Sequence, residues 1–510
     1  MGVDGDGDRA DGLSIGRVIG YFARTAPDQL ALVEDGSDDV ATWAQLDRAT
    51  NALARAYAAR GVGPDDMVGI ALPNSAEFVR ACVAVWKLGG TPLPLSPRLP
   101  AAERRRILDL ARPVLLVGAG SYPGGPAELP VGFDPAGHDD GELPDRSPTH
   151  WKALTSGGST GLPKIIVARD RPRFDPESAA VSHMHARGVH LVAGPLHHNA
   201  AFIYAMRGLF SGNRLVVLRR FDPARVLTIV GEQRITWMQL VPTMMNRIHK
   251  LPAEQRATAD WSSLRTLLHV GGPCAPWLKR AFIDWLGPER IVEVYAGTEG
   301  QGFTVITGEE WLAHPGSVGR AARGSRFRVL DEHGDEVGPG VVGEVFLMPA
   351  GGPGSTYHYL GATPRSREGW ESLGDLGHHD ADGYLYLDDR STDCIVSGGA
   401  NVYPAEVEGA LDAHPGVRSS AVIGLPDDDL GQRVVAIVHA DPGVTPADLD
   451  AHLADLIAPY KRPRDYELTG TTLRDEAGKV RRSALRAARL PTVGNAAEPL
   501  AGDAAGVVGW

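Results

Sequence analysis

The sequence predicts an α/β fold: a large N-terminal domain of α/β sheets with a β-rich subdomain, followed by a small, mobile α+β C-terminal domain. Three observations predict it. Helical periodicity and short apolar runs alternate from Ile15 to Val294. From about Arg326 the texture becomes β, with Gly/Asp turns between the runs. After Gly398 a second, shorter set of strands and helices begins, and 510 residues exceed what one ordinary core accommodates. The expected divisions are tails at 1–12 and 491–510, a main domain at 13–391 and a C-terminal domain at 392–490.

The elements follow in order. Helices are expected at Ile15 to Thr25 and Trp43 to Arg60, a strand at Met67 to Leu72, and a helix at Ala76 to Leu88 that Gly89-Gly90 stops. Pro92, Pro94, Pro97 and Pro100 impose an extended connection to a helix at Arg104 and a strand ending at Val117. Strands at Arg214 to Leu218, Ile235 to Val241, Leu267 to Val270 and Ile291 to Val294 are separated by helices at Pro223 to Glu232 and Trp277 to Leu286. Pro242-Thr243-Met244-Met245 reads as a strand end, and Ser372-Leu373-Gly374-Asp375 as turn punctuation among strands at Arg326, Glu344 and Tyr384. The last unit has a helix at Ala405 to Asp412, strands at Ala421 and Val434, and a helix at Asp448 to Ile457.

Net charge is −12, which disfavours nucleic acid or an anionic membrane as a partner. No apolar run approaches the roughly 18 residues a membrane span needs. The acidic start Met1-Gly2-Val3-Asp4 lacks the apolar region of a secretory signal, and three scattered cysteines suit reduced thiols. A cytoplasmic protein is therefore expected.

Thr155-Ser156-Gly157-Gly158-Ser159-Thr160-Gly161-Leu162-Pro163-Lys164 has the makings of a phosphate loop. Three glycines let the backbone approach an anion closely, four hydroxyls donate to it, and Lys164 adds charge. The common GxxxxGK[ST] spacing fails, because Ile165 follows the lysine. A strand from Ile165 makes the loop a strand-to-strand turn, and a flexible Gly/Ser linker is the competing reading. His197-His198 lack further ligands in a metal-binding pattern, so lining a pocket is their expected use. Gly271-Gly272 and Tyr295-Ala296-Gly297-Thr298-Glu299 follow apolar strands, where an open α/β sheet binds its ligand.

This loop, Tyr-x-Gly-Thr-Glu at Tyr295, Gly374-Asp375, Arg390 ahead of Gly398-Gly399, and Gly478-Lys479 resemble, in this order, the adenylate-forming superfamily. That family includes acyl-CoA synthetases, adenylation domains of nonribosomal peptide synthetases and firefly-type luciferases, and the resemblance spans about Ile15 to Leu490. It implies ATP, Mg²⁺ and CoA as ligands and an acyl-AMP intermediate. Thr155, Ser156, Gly157, Gly158, Ser159, Thr160, Gly161 and Lys164 would then hold the triphosphate, and Glu299, beside Thr298, the metal. Gly272, Tyr295, Ala296 and Gly297 would meet the adenine, with Asp375 and Arg390 at the ribose. Lys479 would bridge the carboxylate and the α-phosphate. The C-terminal domain would turn on a hinge at Thr392 to present first Lys479, then the Gly398-Gly399 loop with Asn401 and, across the thiol channel, Asn199.

Details such as Gly157-Gly158, His197-His198-Asn199 and Ser397-Gly398-Gly399-Ala400-Asn401 resemble ligases for bulky polycyclic acids, of steroid and bile-acid or diterpenoid-antibiotic (platensimycin) type. His198, Ala200, Phe202, Met244 and Gly271 are the expected acyl-pocket residues. Free CoA is the expected thiol, since no carrier segment is fused; a homodimer is left open. Two departures stand out: Ala296 where the family has Gly, and Gly470-Thr471-Thr472-Leu473 without the family's Pro. If position 296 required positive φ or close approach to the nucleotide, the methyl would add strain on the order of 1 kcal/mol or more. Three readings follow: a complete ligase, a thioester-forming enzyme supplied with ready-made acyl-AMP, and a non-catalytic adenylate-binding protein. The complete ligase comes first.

Overall fold

The computed structural model describes residues 12–118, 125–157, 163–170, 172–177, 180–181, 183–390, 393–397, 400–427, 430–476 and 478–490. Its longest sheet carries a parallel run in the spatial order Leu30–Glu34, Arg214–Val217, Val189–Val192, Trp237–Leu240, Thr266–Val270, Ile291–Ala296. These strands are apolar almost throughout because both faces are covered, one by Asn199–Phe210 and its neighbours and the other by Pro242–His249 and Pro276–Leu286. Beyond Ile291–Ala296 the pairing turns antiparallel through Phe303–Thr307 and Ser317–Ala321 into Leu385–Arg390, Trp370–His379, Gly343–Met348 and Arg326–Leu330. A four-stranded parallel sheet centred on Met67–Ile70 forms a second layer, with Ala76–Lys87 buried against it.

Local chemistry fixes the helix starts. Thr42 accepts from the Gln45 backbone while the Gln45 side chain caps Thr42 in return, and Thr307 with Glu310 repeats the arrangement. Asp222 caps the helix that Pro223 opens.

Residues from Ile395 onward have a core of their own, in which Val407 and Leu411 of Pro404–Asp412 pack on Val422, Val434 and Val438 of a five-stranded sheet.

Several expected elements differ. Ser372–Asp375 is no turn; it lies within the strand Trp370–His379. Pro242 opens a helix rather than ending a strand, because its fixed φ suits a first helical position. The late helix runs Pro446–Ala454, set by the Thr445–Asp448 capping box, and so starts and stops before the expected bounds. The expected tails lie outside the described residues apart from Gly12. Among the described residues no helix is long and apolar enough to cross a membrane.

Candidate active site

The parallel strands deliver their C-terminal ends to one edge, and the loops there carry most of the singled-out residues. Asn74 staples that edge: its amide donates to Gly194 O at 2.7 Å and Leu218 O at 3.2 Å and accepts from Leu196 N. Helix Asn199–Phe210 starts beside it with His198 at the cap position, whose side chain makes no capping bond.

The glycine-rich loop joins the antiparallel strands Ala153–Gly157 and Pro163–Ala168, the expected strand-to-strand turn. Gly158, Ser159, Thr160 and Gly161 lie outside the described residues, and of Ser156 and Gly157 only the strand backbone is described. At the end of the loop, Lys164 Nζ donates to Glu299 Oε1 at 3.0 Å and to the Tyr359 hydroxyl at 2.8 Å; that hydroxyl in turn donates to Glu299 at 2.6 Å. Glu299 is only 6% exposed. Burial alone would raise its pKa, but the Lys164 ammonium and the Tyr359 hydroxyl outweigh it and hold the carboxyl below its ordinary value. An ionised, hard oxygen donor beside a lysine at the mouth of a hydroxyl-rich loop is a donor set that fits a magnesium nucleotide.

Tyr295 and Asp375 meet directly, the phenol donating to Asp375 Oδ2 at 2.7 Å. Gly297 lies close to the site's side chains: a methyl there would lie 2.9 Å from Glu299 Oε2 and from Leu373 Cδ1, and those ends would have to shift. Thr298 sits in the turn that Gly300 N closes onto Gly297 O. Ala296 is the last residue of its strand, paired with Phe303, and is not among the residues with positive φ. The positive-φ ground for strain at Ala296 is therefore overturned: an extended strand residue accepts a methyl without a backbone penalty.

Gly271 ends Thr266–Val270 at φ 93°, and Gly272 is open on the side where a Cβ would stand. His198 and Ala200 are half-buried at the same edge. Burial pushes the His198 imidazole down to about 3, helped by His197 and Lys479, so it is neutral at working pH. Two expected pocket residues are elsewhere. Phe202 is fully buried on another face of its helix, against Phe78, Trp86 and Trp151, and Met244 packs among Leu240, Ile248 and Leu278. Both fill core, the commoner use of such side chains.

Lys479 reaches this edge from the C-terminal unit. Its loop is closed by Asp475, whose N–H donates to Lys479 O at 3.0 Å and whose Oδ1 accepts from Lys479 N at 2.9 Å. Gly478 supplies φ 77°, and a methyl on it would come 2.5 Å from Thr243 Oγ1. Arg474 donates to Gly478 O and, through its other nitrogen, to the buried Glu408 and to Ser420 O. Gly398, Gly399 and Thr392 lie outside the described residues, and nothing is described of the Arg390 and Asn401 side chains.

Sequence reasoning missed Tyr359, Arg474, Thr243 and Lys152. Lys152, just ahead of the loop strand, is 6% exposed and donates from Nζ to Asn199 Oδ1 at 2.8 Å. A lysine set between Trp151 and the apolar Ala153-Leu154 was the available signal.

Comparison with known proteins agrees with this geometry. The profile of AMP-binding enzymes matches residues 21–360, and that of the AMP-binding enzyme C-terminal domain matches 406–479. The chain belongs to this family. It is 30% identical to the fatty acid–[acyl-carrier-protein] ligase ScoC of Streptomyces coeruleorubidus, over 91% of this chain and 94% of that one. It is 29% identical to the 3-[(3aS,4S,7aS)-7a-methyl-1,5-dioxo-octahydro-1H-inden-4-yl]propanoyl:CoA ligase of Rhodococcus jostii, over 90% and 95% of the two chains. The fold matches the anthranilate CoA ligase AuaEII in complex with anthranoyl-AMP, with a TM-score of 0.80, 23% identity, and coverage of 94% of this chain and 97% of that one. The protein is an AMP-forming acid–thiol ligase that activates a carboxylic acid as its acyl-adenylate. Such ligases use ATP with Mg²⁺ and a thiol acceptor.

Proposed function

We propose that this enzyme is an acyl-CoA synthetase that converts a bulky, polycyclic carboxylic acid to its CoA thioester. The observation that carries the ligase part is the meeting of Lys164, Glu299 and Tyr359, the Tyr295–Asp375 pair and the Lys479 loop at one edge of the sheet. In this reading Lys164 and the loop from Thr155 bind the triphosphate, Tyr295 and Asp375 hold the nucleoside, and Glu299 holds Mg²⁺. The metal, when bound, neutralises charge on the phosphate oxygens. Lys479 holds the acid's carboxylate against the α-phosphate and stabilises the charge that develops as the anhydride forms. His198, neutral and half-buried, lines the acyl side of the site without adding a charge there. The bicyclic acid in the name of the Rhodococcus relative supports a bulky substrate.

A second reading, a carrier-protein thiol instead of free CoA, is favoured by the identity to ScoC. One experiment tests both. Acids from short fatty to polycyclic are offered with Mg-ATP, or as synthetic acyl-AMP, together with CoA or a phosphopantetheinylated carrier protein, and thioester is measured. Thioester to CoA from polycyclic acids by both routes is expected. Product only with the carrier favours the second reading, and product only from acyl-AMP removes the adenylation step.

A further inference from the structure

We infer that Lys152 is a specificity-determining residue whose ammonium, held against Asn199, takes a carbonyl or carboxylate oxygen that the acid carries in addition to the carboxylate being activated. The inference rests on the ligase reading above and goes on to name a feature of the substrate.

Among the described residues three lysines are deeply buried: Lys87, Lys152 and Lys279. Lys87 meets Asp47 and Asn51, each at 2.6 Å, and Lys279 meets Glu293 at 2.6 Å. Among the described residues Lys152 meets only the neutral Asn199 amide and, at 5.4 Å, the ring of Trp151. Among the described residues no carboxylate forms an ion pair with it. Removing an ammonium from water is unfavourable by several kcal/mol unless an opposite charge or enough acceptors replace the water. One hydrogen bond from three N–H groups leaves most of that penalty standing. Burial pushes the Lys152 ammonium down to about 8, opposed by Asp170 and Glu299 and reinforced by Arg207, so it still carries its proton at neutral pH. A fold that needed only bulk here would be served by Met or Leu, whereas this one keeps a charge with two donors to spare.

The surroundings say what the donors face. Helix Asn199–Phe210 buries Ala201, Phe202, Ala205, Met206 and Leu209, while the stripe Ala200, Ile203, Arg207 stays partly exposed. Ala200 and Ile203 pack, with Ala296, Phe303 and Val305, against one buried cluster that holds Tyr204, Trp237 and Val294, and all five are partly buried and apolar. This partly buried apolar set reaches from the Tyr295-Ala296 strand end to the first turns of the helix. An acyl group extending from the reacting carboxylate has these walls to follow, and Lys152 flanks their start through its bond to Asn199. The triphosphate side is attended by Lys164, on the other strand of the hairpin. An oxygen acceptor on the acyl skeleton is the ligand that completes Lys152.

The test uses Lys152→Met and Lys152→Gln in the full-length enzyme, with matched acids: one unsubstituted, one bearing a ketone and one bearing a second carboxylate. Acid-dependent pyrophosphate release, KM values for ATP and CoA, and melting temperature are measured. Both variants are expected to lose about 10- to 100-fold in kcat/KM for at least one of the oxygenated acids, through KM, but less than about threefold for the unsubstituted acid. KM for ATP and CoA stays unchanged, and the melting temperature is unchanged or higher. The ketone and carboxylate arms separate the two acceptors. Equal loss for all three acids, a change confined to the KM of CoA, or a lowered melting temperature with uniform loss overturns the inference. If the wild-type enzyme adenylates no acid, the ligase reading fails. Calorimetric binding of non-hydrolysable acyl-sulfamoyl adenosines with and without the ketone or second carboxylate then decides Lys152 on its own, equal affinities in wild type and Lys152→Met overturning it.

Discussion

Gly478 combines a left-handed φ of 77° with a space that Thr243 closes to 2.5 Å. Gly478→Ala therefore adds backbone strain of about 1 kcal/mol and pushes the Lys479 loop off the N-terminal body. Acyl-AMP formation is expected to fall by more than about tenfold while thioester formation from synthetic acyl-AMP stays within about twofold, because only the first step needs Lys479 at the phosphate. Ala296 offers the contrary case. With no positive φ to relieve, Ala296→Gly should leave adenylation within about twofold of wild type. A large gain would restore the view that this methyl impairs nucleotide binding. Lys152 makes a prediction about stability. Its folded pKa of about 8 lies below the ordinary value of 10.5, so between these the unfolded chain binds more protons and stability rises with pH. Below pH 8 both states are protonated and the burial penalty is fully present. Denaturant titrations of wild type against Lys152→Met should show the difference between them, at most about 3 kcal/mol, shrinking from pH 8 to 10.5.

Secondary-structure elements carry the site by register. Pro404–Asp412 presents Glu408, 3% exposed, to two guanidiniums: Arg474, which also binds Gly478 O, and Arg482, which also binds Asp393. Glu408→Ala leaves both cations without their shared partner and should destabilise the C-terminal unit by about 3 kcal/mol, read as a lowered unfolding midpoint. A loss below about 1 kcal/mol would mean that water replaces the carboxylate. The same dependence on pairing decided what the sequence could reveal. The strand expected at Arg326 is Arg326–Leu330, and Ile291–Ala296 and Thr266–Val270 were legible as apolar runs. Trp370–His379 was hidden because Gly374 and Gly377 imitate a turn. Gly377 is there for close packing, since a methyl would lie 2.2 Å from Tyr386 O. Tyr359 escaped for a related reason: its strand joins Pro163–Ala168 across nearly two hundred residues, and only that pairing brings its hydroxyl to Glu299.

At the scale of the molecule, the two units are held together with Lys479 directed to the sheet edge. Trp277 Nε1 donates to Gly409 O at 3.0 Å, Lys250 donates to Val417 O, and Arg98 pairs with Glu476 at 2.6 Å. The last pair is largely exposed on both sides, and such a pair contributes at most about 1 kcal/mol. Contacts this light suit a unit that must swing away if the Gly398-Gly399 loop is to take its turn at the thiol channel. Arg98→Ala alone should then change either half-reaction by less than about threefold. Covalent closure should do far more. With Arg98→Cys and Glu476→Cys joined by a short bis-maleimide, in a background where Cys274 and Cys394 are serine, the enzyme should still form acyl-AMP and lose thioester formation from synthetic acyl-AMP. Cleaving a reducible version of the linker should return it. Survival of both half-reactions in the linked protein would mean that one arrangement of the two units serves both steps, and loss of both would mean that even adenylation requires the C-terminal unit to move.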